Sequence, residues 1–273
     1  MSEADPAAPA RRPDRRLFDV LRVGAAMCFV GHGAFGLITK AAWLPYFAVV
    51  GIGPRLGYAL MPVIGTVDIV LGLSMLLWPT KAALAYMTTW AVWTALLRPL
   101  AGQGVAEFLE RAGNYGVPFA LLLLSALTSP DGGWFERMEP RRLDPATARR
   151  VSWVLRVTTA TLLLGHGVLA AAGKPQLAKH LAAIGVGDGG PTTRALVTGQ
   201  GGFEIGLALA VLVAPASSLA LVAVTWKVAT ELLFPLTGDY VWEFVERGGS
   251  YVAPLGLMLL CEGLSRRGAT HPT

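Results

Sequence analysis

The sequence predicts an all-α polytopic membrane protein of eight transmembrane helices, built as a parallel duplication of a four-helix bundle. Three observations predict it. The chain is 53% hydrophobic and only 15% charged, with a mean hydropathy of +0.52, whereas soluble domains carry roughly 25% charged residues. Apolar runs recur along the whole length, several near the ~20 residues a bilayer-spanning helix needs. The chain also repeats itself: residues 107–118 (EFLERAGNYGVP) return at 243–254 (EFVERGGSYVAP), 136 positions later, with seven of twelve residues identical.

Taken in order, residues 1–16 form a polar tail, expected to be disordered and cytoplasmic, and too long for a secretory signal. Spans follow at 17–38, 59–78, 81–99 and 114–129, a first four-helix repeat over 17–129. The polar, Arg-rich stretch 130–150 is a cytoplasmic linker. Spans at 151–172, 196–214, 218–236 and 250–265 make the second repeat, 151–265, and 266–273 is a C-terminal tail.

The matches between the repeats keep their order. Gly31-His32-Gly33 recurs as Gly165-His166-Gly167 and Lys40 as Lys174, at an offset of 134. Two extra residues in the second outer loop move the offset to 136, after which Gly65 pairs with Gly201, Asp68 with Glu204 and Trp90 with Trp226. An ordered series of this kind indicates duplication. Four spans per copy give both copies the same orientation, with the repeat axis along the membrane normal.

The net charge of +5 does not point to nucleic acid. Arginines gather at Arg11, Arg12, Arg15 and Arg16, at 137–150 and at Arg266 and Arg267, all flanking apolar segments. Such flanks mark the cytoplasmic side, so the partner is a lipid bilayer, the cell's inner (cytoplasmic) membrane, with both termini and the linker inside. Cys28 and Cys261 sit in no CxxC pattern, so no disulfide framework follows.

His32 and Asp68 in the first copy, and His166 and Glu204 in the second, lie well inside apolar spans. Ionisable groups there cost several kcal/mol unless they face the bundle interior and find a partner. They predict two equivalent polar pockets opening outward, each a His–carboxylate pair suited to acid–base chemistry near neutral pH. Their bland alternative is an interhelical hydrogen bond that only holds helices together.

Lys227 and Glu231 lie four apart where the first copy has Ala91 and Ala95. They join the catalytic candidates, and the expectation they raise is that the second half is the more active one or docks a partner. The i,i+4 pairs Glu107/Arg111 and Glu243/Arg247, with Glu110, Tyr115, Glu246 and Tyr251 beside them, are expected at the pocket mouths, binding substrate or gating. Gly113 suits a helix end. Residues 41–53 are apolar and should lie in the interface or fold back as a lid. Gly65, Gly72, Gly201, Gly202 and Gly206 are expected where helices pack closely. His32 and His166 would ligate a haem b only by meeting near the repeat axis, and no HxxxH or CxxC spacing indicates a metal site.

The GHG of each first span, an apolar segment ending in paired glycines (YFAVVGIG, HLAAIGVG), the carboxylate of the second span and ERxGxY before the fourth together resemble the DoxX-like membrane proteins, once per half. That resemblance implies a four-helix bundle unit and a membrane redox role, since the family includes a subunit of a thiosulfate:quinone oxidoreductase. The expected function is a membrane redox component, a quinone-linked oxidoreductase or a subunit of one. It would handle quinone or a small periplasmic reductant, beside a soluble or membrane redox partner. A small-solute or ion transporter, and a non-catalytic scaffold for a redox partner, are the alternatives.

Overall fold

The computed structural model describes residues 12–187 and 189–269, with side chains from 14 to 263. All secondary structure among them is helical: α1 (Arg12–Leu37), α2 (Leu44–Val49), α3 (Pro54–Leu77), α4 (Lys81–Leu100), α5 (Val105–Glu110), α6 (Ala112–Thr128), α7 (Pro145–Ala171), α8 (Pro175–Ala183), α9 (Pro191–Val213), α10 (Ser217–Leu236), α11 (Val241–Glu246) and α12 (Gly248–Ala269). Five stretches are long and apolar enough to cross a membrane: Asp14–Leu37, Pro54–Leu77, Pro145–Ala171, Pro191–Val213 and Ser217–Leu236. The chain is thus a multi-pass membrane protein. The other expected spans, 81–99, 114–129 and 250–265, are helical too, but α6 has only 17 residues and α4 carries Lys81 and Arg98 near its ends.

Two segment boundaries need correction. Residues 12–16 of the expected tail belong to α1, because Leu17, Phe18 and Leu21 are drawn into the core and the helix runs on through the charged residues ahead of them. The expected tail at 266–273 likewise begins inside α12. Residues 1–11 and 270–273 lie outside the described residues.

Side chains that replace missing backbone partners start the helices. Thr80 accepts from the Ala83 N–H at 3.2 Å to begin α4. Asp144 accepts from the N–H groups of Ala146 and Thr147 at 2.7 and 2.9 Å to begin α7, with Pro145 set in the first turn. The linker folds onto the bundle end: Lys81 Nζ donates to the carbonyls of Ser129 and Gly132, and the Met138 N–H to Pro79 O at 2.8 Å.

Within each half α1 packs on α3 and α4 on α6, as α7 does on α9 and α10 on α12. The short helices cross over. Helix α5 lies against α7, and α11 against α1. The Gly-His-Gly motifs explain how. A Cβ on Gly31 would come within 2.5 Å of Glu246 Cα, and one on Gly165 within 2.8 Å of Glu110 Cα. The second glycine of each motif admits that half's own neighbour: a Cβ on Gly33 would sit 2.5 Å from Gly65 O, and one on Gly167 2.9 Å from Gly201 O. Backbone thus touches backbone on both sides of each histidine, as small residues permit between membrane helices.

Helices α6 and α12 meet at Gly113 and Gly249, where a Cβ on Gly113 would lie 2.6 Å from Gly249 O. Gly113 is therefore a crossing point inside the first turn of α6, not a helix terminator. Of the glycines expected to pack closely, Gly65, Gly72 and Gly201 do, while none of the described residues lies near Gly202 or Gly206. Those two sit on parts of α9 that no described helix covers.

Candidate functional site

The first-half site is built on α1. Three turns into its apolar stretch, His32 directs Nδ1 at Asp68 Oδ2 of α3, 2.7 Å away. A carboxylate can only accept there, which leaves Nε2 as the ring's second polar atom. The 3-10 turn Ala41–Trp43 and α2 fold the apolar loop back over this end, and Trp43 stacks on the His32 ring at 4.5 Å between centroids and 22° between planes. The loop caps the site. Lys40 at its start reaches Glu243 Oε1 at 2.6 Å, tying α1 to α11 of the other half.

Beside His32 is a cavity of about 230 Å³ between α1, α2, α3 and α4. Its walls are aromatic and aliphatic, with Trp43, Tyr46, Phe47, Trp90 and Trp93 among them. Polar side chains among its lining include His32, Tyr46, Trp90, Thr94, Arg98, Arg111, Asn114 and Glu246. It is roomy because Ala91 and Ala95 of α4 face it with almost no side chain. A mostly apolar wall with a few convergent polar groups is the usual form of a small-molecule site.

The second half fills the same position. Lys227 and Glu231 replace the two alanines, each 1% exposed, and bridge at 2.8 Å. The expected His166–Glu204 pair does not form. Glu204 Oε1 accepts from Trp226 Nε1 at 2.8 Å and lies 3.8 Å from Lys227 Nζ. His166 faces Glu231 through Nε2 at 3.6 Å and Glu110 through Nδ1 at 3.9 Å. The physical reason is that Glu204 is engaged elsewhere, by Trp226 and the Lys227 ammonium, while Glu231, which Lys227 also holds, takes its place beside the imidazole.

Of the repeated Glu/Arg motifs, Glu110, Arg111, Glu246 and Arg247 are buried between the halves, all at most 9% exposed, while Glu107 and Glu243 are part-buried and Arg111 and Glu246 also line the cavity. Arg111 Nη1 pairs with Glu246 at 3.0 Å and Arg111 Nε with Glu110 at 3.4 Å. The expected Glu107–Arg111 pair is replaced: Glu107 lies 3.1 Å from Lys174 and 3.5 Å from Arg98. In the second copy Arg247 does pair with Glu243, and also with Glu231 at 3.0 Å. Lys174 adds Glu110 at 3.0 Å. Burying such charges is tolerable only because each finds an opposite partner.

Tyr115 and Tyr251 serve the same local purpose, stacking on Phe108 and Phe244 at 5.3 and 5.1 Å. Tyr251 OH also donates to Phe244 O at 2.7 Å. They brace each short helix on the next.

One functional-looking group escaped the sequence reading. His180 of α8 is fully buried, with Nε2 3.3 Å from Asp239 and 2.8 Å from Gln176 Nε2. Burial pushes its imidazole below the ordinary value of 6.5, against the opposing pull of Asp239. The signal was present in the repeat: Tyr46 and Gln103, at the matching positions, are hydrogen-bonded at 2.9 Å.

The described residues contain no group of three or more His, Cys, Asp or Glu placed to hold a metal ion. No protein-family model, curated protein or solved structure matches the chain.

Proposed function

We propose that the chain is a DoxX-like membrane redox component of eight spans, a parallel duplication of a four-helix bundle, which handles a quinone in the first-half cavity. The observation that carries this reading is the cavity itself: an aromatic slot with His32, braced by Asp68, at its polar side. A flat, lipid-soluble ring suits the walls, and a carbonyl oxygen suits His32 Nε2. In the cell this would be the inner membrane, with the termini cytoplasmic and α2, α5, α8 and α11 toward the periplasm.

The chain's own residues would manage protons. A quinone becomes a quinol by taking two electrons and two protons. The electrons would come from a small soluble reductant or a redox partner, and His32 would hold one proton at a carbonyl oxygen. Asp68 keeps that ring in one orientation and stabilises the imidazolium if it forms. Haem does not fit the donor set as a bis-histidine ligand, because His166 has a carboxylate oxygen within 4 Å of each ring nitrogen.

The test is a titration of the purified protein with a decyl benzoquinone, read by quenching of tryptophan emission from Trp43, Trp90 and Trp93. Saturable quenching is expected, weakened about tenfold in His32→Ala by loss of a ligand hydrogen bond and little changed in His166→Ala. Quenching that ignores His32 would sink the reading. Movement of a solute across sealed vesicles without redox turnover would put a transporter in its place. Tolerance of both histidine losses, with failure on replacing 130–150, would put a scaffold there.

A further inference from the structure

The two halves answer the same geometric question differently, and the difference describes the ligand. In the second half three donors end on carboxylates. Arg247 Nε binds Glu231 at 3.0 Å, Trp226 Nε1 binds Glu204 at 2.8 Å, and His166 Nε2 faces Glu231 at 3.6 Å. In the first half the matching donors lack these acceptors. Ala95 stands for Glu231, and Asp68, one methylene shorter than Glu204, is taken by His32. Trp90 Nε1 is buried without a hydrogen-bond partner among the described residues, and Arg111 Nε makes no hydrogen bond there either, its carboxylate contact being the 3.4 Å ion pair with Glu110; both residues line the cavity. Buried donors of this kind cost free energy until something accepts from them.

Lys227 and Glu231 replace the two alanines together, so the material that fills the second half carries no net charge. A ligand that takes their place in the first half therefore leaves the local charge balance as the second half has it only if it too is neutral. We infer that each chain binds a single neutral carbonyl compound, in the first half alone. Its oxygens accept from the Arg111, Trp90 and His32 side chains where Glu231 and Glu204 accept in the second. The second half is a self-filled copy of the site. This rests on the reading of the first-half cavity as a ligand site.

The experiment is calorimetric titration of the full chain in lipid nanodiscs with two probes of equal tail length, a decyl benzoquinone and decanoate. The wild-type protein is expected to bind one quinone per chain, and decanoate at least tenfold more weakly. Ala91→Lys/Ala95→Glu should abolish binding by rebuilding the second half's plug in the first. Lys227→Ala/Glu231→Ala should raise the count to two, while Lys227→Met/Glu231→Gln, which keeps the space filled, should leave it at one.

A wild-type count of two overturns the inference, and so does a folded, monodisperse Lys227→Ala/Glu231→Ala protein that still binds one. Preference for decanoate overturns the neutral-carbonyl assignment. Should the opened variant fail to fold, the Ala91→Lys/Ala95→Glu protein decides: retained binding refutes the inference and lost binding supports it. A wild-type protein that binds neither probe instead removes the ligand-site reading on which the inference stands.

Discussion

Replacing Gly113 by alanine tests the crossing that joins the two halves. Its Cβ would lie 2.6 Å from Gly249 O and 2.8 Å from Ser250 N. Ordinary contact begins near 3.4 Å, so α6 and α12 would have to part by at least about 0.8 Å, and by more to clear the Gly249 carbonyl carbon, which lies nearer still. Both obstacles are backbone atoms, and no rotamer change relieves them. The Arg111–Glu246 pair and the hydrogen bond from Gly249 N–H to Cys28 Sγ, at 3.2 Å, lie beside the crossing and would be strained with it. Overpacking of this kind costs about 1–3 kcal/mol. Gly249→Ala should cost a similar amount, and the double variant less than the sum, because a gap opened for one methyl admits the other. The assay is thermal unfolding in detergent with size-exclusion profiles. Gly202→Ala is the control: none of the described residues lies near that position, so it should be neutral or stabilising by up to about 1 kcal/mol. A Gly113→Ala protein as stable as wild type would refute the tight crossing.

Further outcomes follow from single groups. Glu246→Ala leaves the buried Arg111 guanidinium short of its 3.0 Å partner and should cost about 3–5 kcal/mol; Arg111→Met/Glu246→Leu should recover much of it, and both are read by the same unfolding assay. Asp144→Ala removes the cap of α7 and should cost about 1 kcal/mol, measured likewise, with no change in quinone binding. His180 has its folded value lowered, first by burial, so the unfolded segment takes up the proton more readily. Its contribution is therefore present above about 6.5 and lost as pH falls through the lower folded value. Protection of the α8 amides, taken relative to intrinsic exchange at each pH, should fall as pH falls, and His180→Gln should flatten that dependence.

Much of the architecture is legible in the residues, and the failures have physical causes. Each expected span is a helix, because long apolar runs bounded by Pro, Gly and charged residues admit little else in a chain this poor in charge. The start of α1 was hidden because Arg12, Arg15 and Arg16 look like tail residues. In the folded chain Arg15 and Asp19 face each other at 3.9 Å on one helical face, and Leu17 and Phe18 anchor the turn.

The crossing of α5 and α11 between the halves was not legible. A repeat offset relates Glu110 to Glu246 but is the same whether each short helix stays with its own half or swaps. The glycine before each histidine was visible as a glycine, not as the seat of the other half's backbone. The contrast of Ala91 and Ala95 with Lys227 and Glu231 was visible too, but not the cavity beside the two alanines. Charged residues draw attention to the half that holds them, while the open volume lies opposite, where the side chains are missing. His166 could not be paired correctly for the same reason, since only the fold shows Lys227 drawing Glu204 and Glu231 together.

The central claim is a quinone held at His32 in the first half, and analysis of what accompanies the protein out of the membrane tests it most directly. Quinone would be extracted with solvent from wild-type, His32→Ala and Ala91→Lys/Ala95→Glu proteins purified in mild detergent, and an oxidised-minus-reduced absorption spectrum recorded on each. The account predicts bound quinone in the wild-type protein, markedly less in both variants, and a spectrum with the quinone's ultraviolet change alone. A Soret band lost with either His32 or His166, or quinone retained equally by all three proteins, would contradict it.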